Sequence, residues 1–218
     1  MAIAINGSGT VTGISVGGLP DGIVDAGTLA SNSVEAAKIA ANAVETAKIN
    51  NDAVTVAKLA DGVINYDEWW LTSSLTLSDD DPDDITTNLT RQTAPSAIGS
   101  AMTQSSGVFT FPETGIWYIT CSGKFHKSGG NVRGVGWYLR YSSDNGSSWP
   151  TYTVTTGNLR DGGGTTYASP IAQACHDITD TGNQKIKFSA WSADSGATLG
   201  GTSSYETTAF RFTKLGNT

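Results

Sequence analysis

A tenfold spacing between Val24 and Leu59 constrains this chain more than any other feature. Asn32-Ser33-Val34-Glu35-Ala36-Ala37-Lys38-Ile39-Ala40-Ala41 lines up with Asn42-Ala43-Val44-Glu45-Thr46-Ala47-Lys48-Ile49-Asn50-Asn51. Asp52-Ala53-Val54-Thr55-Val56-Ala57-Lys58-Leu59-Ala60-Asp61 follows in the same frame, and a weaker first copy puts Val24, Asp25 and Leu29 in the same slots. Self-similarity at a fixed period marks a repeat architecture whose units cannot bury their apolar face alone. A continuous helix fits poorly, because ten residues at 3.6 per turn rotate the apolar stripe by roughly 80° per copy. Asn32 with Glu35, and Asn42 with Glu45, form a capping-box pattern, while Asp52 keeps a plain N-cap. Each copy therefore reads as one short helical turn followed by an extended link. A β-type shaft that turns one corner per copy is the alternative.

The apolar positions Val24, Leu29, Val34, Ile39, Val44, Ile49, Val54 and Leu59 are too sparse for one chain. Their burial does not offset the backbone entropy lost in ordering residues 22–65. Other copies are expected to supply the missing core, since a plain linker has no reason to keep apolar spacing. Lys38, Lys48 and Lys58 recur beside Glu35 and Glu45. Exposed ion pairs are worth about 0–1 kcal/mol, so these set register more than stability.

Residues 1–21 are Gly-rich but patterned: Ile3 and Ile5 alternate, as do Ile14 and Val16, and Asn6-Gly7 is a tight-turn signal. Gly7-Ser8-Gly9 lacks a third glycine at the right offset, and no Gly-Lys-Ser/Thr follows, which excludes a nucleotide loop. The segment is expected to be an anchor that orders on docking to a larger particle, through Ile3, Ile5, Val11, Ile14 and Val16. Met1 to Ile5 is too short an apolar run for a signal peptide, and no window approaches the length of a membrane span. The first aromatics arrive at Tyr66-Asp67-Glu68-Trp69-Trp70. The chain thus reads as anchor 1–21, shaft 22–65 and head 66–218.

The head reads as successive strands between turn signals. Trp69 to Leu77 is a first strand, and Asn88 to Arg91 is short and extended. Val108 to Phe111 precedes a Pro112-Glu113-Thr114-Gly115 turn. Trp117, Ile119, Cys121 and Phe125 alternate with Tyr118, Thr120 and Lys124. Val135, Trp137, Leu139 and Tyr141 mark the next strand, and Asp144-Asn145-Gly146-Ser147 a hairpin turn. Ile171 to Ile178 is another. Ile186, Phe188 and Ala190 face in while Lys185 and Lys187 face out. The chain closes on Phe210-Arg211-Phe212. About eight strands, 26 glycines and 15% charged residues indicate a mainly β protein with a C-terminal β-sandwich or jelly roll.

A net charge of −7 argues against duplex DNA or an anionic membrane surface as a partner. Catalysis finds no constellation. His176 lies beside Cys175 and Asp177, but adjacent strand residues point to opposite faces. Glu113 and Glu206 have no partner as acid and base. No catalytic residue, metal or cofactor is expected. The Asp79–Asp84 run lacks the spacing of a dedicated calcium loop and reads as solvated charge. Cys121 and Cys175 lie in apolar runs, where buried free thiols are expected and one disulfide is the alternative. Ligand contact is expected in the long turns, with Asp144, Trp149, Tyr152, Asn158 and Tyr167 as candidates. Trp149 fits equally well under a hairpin or at a seam between subunits.

Gly107-Val108-Phe109-Thr110-Phe111-Pro112-Glu113-Thr114-Gly115-Ile116-Trp117-Tyr118 resembles the stretch that bridges two central strands in the complement/tumour-necrosis-factor jelly-roll superfamily. The terminal Ala209-Phe210-Arg211-Phe212 is similar to that family's Phe-rich last strand. The resemblance covers roughly residues 67–218 and implies a TNF-like ten-stranded jelly roll that assembles as a tight trimer. The segment Ile5-Asn6-Gly7-Ser8-Gly9 through Leu19-Pro20-Asp21-Gly22, together with the Asn-Ala-Val-Glu-Thr-Ala-Lys-Ile repeats, resembles the leaders and shafts of tailed-bacteriophage fibres, especially marine ones. That combination implies a homotrimeric structural fibre, assembled in the host cytoplasm and located on the virion. Its N-terminus would join another virion structural protein, and its knob would bind a bacterial surface glycan or protein. Capsid or tail decoration without a receptor role is the alternative.

Overall fold

The computed structural model describes residues 34, 35, 37, 39–41, 43–45, 49, 65–93, 97–160 and 162–218. The chain divides into two compact units, Met1–Lys58 and Leu59–Thr218. In the first, Ala37 lies in a 3₁₀ turn, and Ala43 N donates to Ala40 O across a second turn. Val34, Ile39, Val44 and Ile49 are all exposed in a single copy. The anchor residues Ile3, Ile5, Val11, Ile14 and Val16, and the shaft positions Val24, Leu29, Val54 and Leu59, lie outside the described residues.

The second unit is built from short, alternating strands. In chain order they are β1 (Tyr66–Leu71), β2 (Ser73–Thr76), β3 (Asp83–Asp84), β4 (Leu89–Arg91), β5 (Thr103–Ser105), β6 (Val108–Thr110), β7 (Gly115–Gly123) and β8 (Phe125–Ser128). They continue with β9 (Val132–Ser142), β10 (Thr151–Leu159), β11 (Thr165–Ala168), β12 (Ile171–Ile178), β13 (Lys185–Ser192), β14 (Thr198–Thr202) and β15 (Thr208–Gly216). One sheet runs β12-β7-β15-β1-β4, a second β10-β9-β13-β6-β5 with β3 on β13, and a small third β11-β8-β14-β2. Every pairing is antiparallel. The pairs nest: β9 with β10 lies inside β7 with β12, then β6 with β13, then β1 with β15, alternating between the two large sheets. This winding is that of a jelly-roll sandwich, and no α-helix occurs among the described residues.

Alternation decides which side chains meet. Trp117, Ile119, Cys121, Trp137, Leu139, Phe188, Phe210 and Phe212 are buried between the sheets. Phe109 sits among aromatic rings at 4.9 Å (Phe212) and 5.7 Å (Trp69 and Phe188). The Pro112–Gly115 turn ties the ends of the head together. Glu113 accepts from Asn65 Nδ2 at 2.6 Å and from Lys214 Nζ at 2.9 Å, and its carbonyl accepts from Trp117 Nε1 at 3.2 Å. Gly115 has φ +140°, and a Cβ there would lie 2.3 Å from Lys214 Cε, so the close pass of β15 requires glycine. Ser106 and Gly107, both at positive φ, close a two-residue hairpin in which Ser105 pairs with Val108.

Several expectations need correction. The run from Trp69 to Leu77 is two strands, because Thr72 N bonds Asn88 O and breaks the ladder; β1 and β2 then join different sheets. Among the described residues the head has fifteen strands rather than about eight, since short edge strands carry little periodicity. Lys185, expected outside, is buried, with Nζ donating to Thr181 O at 2.9 Å. Cys121 is buried but Cys175 is exposed, and both thiols are free. They occupy opposite faces of one sheet: Cys121 pairs with Ala172, and Cys175 with Tyr118. That parity excludes a bridge.

Candidate functional site

The five-stranded sheet is apolar on its inner face and mixes apolar with polar side chains on its outer one. Its inner face is core. On its outer face β7 presents Ile116, Tyr118 and Thr120, β12 presents Ile171, Gln173, Cys175 and Asp177, and β15 presents Thr213 and Leu215. The register places Tyr118 between Cys175 and Thr213. Tyr118 Oη donates to Gln173 Oε1 at 2.6 Å, which fixes the ring against the sheet. Ile171 is 58% exposed and Leu215 60%. Leu215 and Tyr118 stand near Ile116 at one end of the face, and Ile171, paired with Ser122, at the other, with Thr120 and Gln173 between; exposed apolar side chains grouped on one face mark an interaction surface.

A charged cluster interrupts this face on the β1 side. Arg211 Nε lies 3.2 Å from Glu68 Oε2, and its Nη2 donates to Glu68 Oε1 at 3.4 Å and pairs with Glu206. Arg211 Nη1 also donates to Ser122 Oγ at 3.3 Å, and Tyr66 Oη donates to Glu68. Partial burial and the Glu68 carboxylate push the Tyr66 hydroxyl up to about 12. The hydrogen bond to Glu68, with burial, raises Glu206 above the usual carboxylate range. Burial also acts to raise Glu68, but hydrogen bonds with Glu206, Tyr66 and Arg211 outweigh it and hold Glu68 below. Two carboxylates thus share one guanidinium.

The residues expected to meet a ligand do not converge. Asp144 caps its own turn, accepting from Ser142 Oγ at 2.7 Å and from Ser148 N and Oγ at 2.9 and 2.6 Å. Those hydrogen bonds, Ser148 foremost, hold its carboxyl down at about 2. Trp149 is half-buried over Gly146, with Lys187 Nζ 4.7 Å from its ring centre. Tyr152 lies where β10 meets β12; its Oη donates to Cys175 O at 2.9 Å, and its ring packs edge-on against His176 at 5.1 Å. Asn158 is at the far end of β10, beside Arg133. Tyr167 on β11 is 59% exposed, with Lys124 Nζ 5.3 Å from its ring centre and His126 at 5.9 Å.

His176 points inward, 4.0 Å from the Tyr141 ring, while Cys175 and Asp177 face out, so the three share no site. In the acidic loop, Asp83 accepts from Ser78 N and Oγ, and Asp84 accepts from Lys187 Nζ at 2.6 Å and from Ser189 Oγ. Asp83 therefore closes the loop on itself, and Asp84 ties it to β13. Among the described residues no three His, Cys, Asp or Glu side chains gather with metal-ligand geometry.

Sequence reasoning missed the outer-face residues Ile116, Ile171 and Leu215. A signal existed: β7 alternates Ile116 and Tyr118 with Trp117 and Ile119, so both faces are apolar, as in a strand covered on both sides.

No protein-family model and no curated protein matches the chain. Solved structures do. The crystal structure of murine APRIL at pH 5.0 aligns with TM-score 0.51 and 12% identity, over 69% of this chain and 98% of that one. The structure of Eiger TNF from S. frugiperda aligns with TM-score 0.52 and 12% identity, over 70% of this chain and 93% of that one. At such identity the likeness is one of fold: the head is a TNF-like jelly-roll β-sandwich.

Proposed function

We propose that this chain is the protomer of a homotrimeric bacteriophage fibre. Its N-terminal segment attaches to another virion structural protein, residues 22–65 form a shared shaft, and the jelly-roll head is a knob that binds a bacterial surface glycan or protein. The observation that carries this reading is the set of exposed apolar side chains on the outer face of the five-stranded sheet, Ile116, Tyr118, Ile171 and Leu215. A second copy covers such a face at far lower free-energy cost than water does. Tyr152 and His176, at the junction of β10 and β12, form an aromatic edge distinct from that face. An edge that docks on a face is heterologous, and a heterologous contact closes into a ring when the rotation allows.

Val34, Ile39, Val44 and Ile49 support the shared shaft, because all four are exposed in one copy. The phage assignment rests on the repeat and leader resemblance.

The deciding measurement is the native mass of the full-length protein by light scattering after size exclusion. Three times the chain mass is expected, and a monomer overturns the fibre reading. Electron microscopy of the particle then locates the protein. A distal position on the tail, with purified trimer competing for phage adsorption, supports the knob. Distribution over the capsid overturns the receptor role in favour of decoration.

A further inference from the structure

The end of the β9–β10 ladder holds a cleft of about 250 Å³, lined by Asn131, Val132, Arg133, Asn158, Leu159 and Arg160. Val132 and Leu159 are each 1% exposed and pair across the ladder, so they form an apolar floor. The other four residues form a rim of two guanidinium and two amide side chains. The register slips between Gly157 and Leu159, and such a bulge re-aims the side chains beside it. The chain as a whole carries −7 with only 13 Lys and Arg residues, so two arginines on one small cleft stand against the prevailing charge.

Arg133 is held from behind. Its backbone N donates to Asp194 Oδ2 at 2.8 Å, its Nε to Oδ1 at 3.3 Å, and its Nη2 to Ala193 O at 2.9 Å. The bond from the Arg133 backbone is the main reason the Asp194 carboxyl sits below its usual range. The Arg133 side chain is nevertheless 76% exposed. A guanidinium has five N–H donors, and these bonds leave Nη1 and one Nη2 proton to project outward. In the orientation that satisfies both ends of its amide, Asn158 Nδ2 donates to Arg133 O at 2.7 Å and Gly157 O at 3.2 Å. This locks the bulge. The backing loops are also tied, since Gly129 N donates to Gly164 O at 3.2 Å.

We propose that this cleft is a binding site for a negatively charged sugar unit, a uronate carboxylate above all, presented by an acidic surface glycan. The inference rests on the knob reading above and names its ligand class. A pre-oriented guanidinium matches the paired oxygens of a carboxylate, and a second guanidinium at the rim adds charge without a second immobilised loop. The volume is just under the roughly 300–1,000 Å³ of drug-sized pockets, so one acidic unit fits and a polymer segment does not. A phosphate on a sugar offers the same oxygen geometry, and the test separates the two.

Oligogalacturonate, neutral galactose oligomers and glycerol phosphate are titrated calorimetrically into the full-length protein at low and high salt. The expected result is binding of oligogalacturonate that weakens with salt, and much weaker binding of the neutral oligomer. In the double variant R133Q/R160Q, affinity falls by about tenfold or more, as the loss of charge-assisted hydrogen bonds requires. Asp194→Asn, which loosens the hold on Arg133, weakens binding by a smaller factor. Unchanged melting temperature and native mass show that both variants fold. Equal affinity for the neutral oligomer, full binding by R133Q/R160Q, binding of glycerol phosphate alone, or no binding of any probe each overturns the proposal. If the mass is trimeric and the particle position distal when that happens, the knob reading stands and only this site falls. A monomeric mass removes the knob reading whatever the oligosaccharides do.

Discussion

Asp67 is the head's most informative single substitution. Its side chain is 2% exposed and accepts from four groups. Oδ2 takes Trp69 Nε1 at 3.1 Å and Met102 N at 2.9 Å, Oδ1 takes Glu68 N at 3.0 Å, and Arg91 Nε lies 3.0 and 3.1 Å from the two oxygens. Arg91 also donates to Met102 O and lies 4.7 Å from the Trp69 ring. One carboxylate thereby fastens β1, β4 and the approach to β5. Asp67→Ala leaves the Trp69 indole and the fully buried Met102 N–H without acceptors, each costing about 1–3 kcal/mol. Arg91 loses its counter-charge, but its side chain is 35% exposed and water offsets part of that loss. The sum falls at about 3–5 kcal/mol, the range for breaking a buried ion pair from one side. Asp67→Asn keeps one acceptor oxygen and is expected to cost about half as much. The assay is urea unfolding at one protein concentration, since an oligomer's stability depends on it. Asp81→Ala, on the exposed loop, is the control and should stay within about 0.5 kcal/mol. An Asp67→Ala variant less than about 1 kcal/mol below wild type would refute the reasoning, because its buried donors would then have found other partners.

Four further outcomes are expected. Phe210→Ala removes a ring 4.7 Å from Phe188 and 5.8 Å from Trp137, and should cost about 3–5 kcal/mol in the same unfolding assay. Gly107→Ala would place a Cβ 1.9 Å from Ile85 O at φ +79°, so soluble yield and melting temperature should both drop sharply. Burial outweighs Asp177 and holds His176 below its ordinary value of 6.5. The unfolded chain therefore binds the proton more readily, the contribution is fully present above pH 6.5, and it is lost as pH falls through the lower folded value. His176→Phe should flatten the melting-temperature profile across that window. Burial pushes the Cys121 thiol well up, so it should stay inert to a thiol reagent in every native state. Cys175, on the outer sheet face, should react in dissociated heads and be protected in the proposed trimer; equal labelling in both would place the seam elsewhere.

Much of the head was legible in the sequence because a half-buried strand writes its fold as alternation. Trp117, Ile119 and Cys121, and Ile186, Phe188 and Ala190, are buried where their period placed them. The Gly107–Tyr118 stretch pointed to the jelly roll through its resemblance to a known family, and its Gly115 answers a local demand, the close pass of β15. The spacing from Val24 to Leu59 likewise raised the need for a shared core, though not what satisfies it. Tertiary structure decided the rest. Which residues on a doubly apolar strand face the core depends on the sheet's partners, so Tyr118 and Trp117 look alike until β12, β7 and β15 are ordered. Lys185 reads as a surface lysine until the Thr181 carbonyl meets it. Arg133, Arg160 and Asp194 are far apart in the chain and carry no motif. Only the winding that brings the β13–β14 turn against the start of β9 makes them neighbours, because charge, unlike alternation, leaves no periodic trace in a sequence.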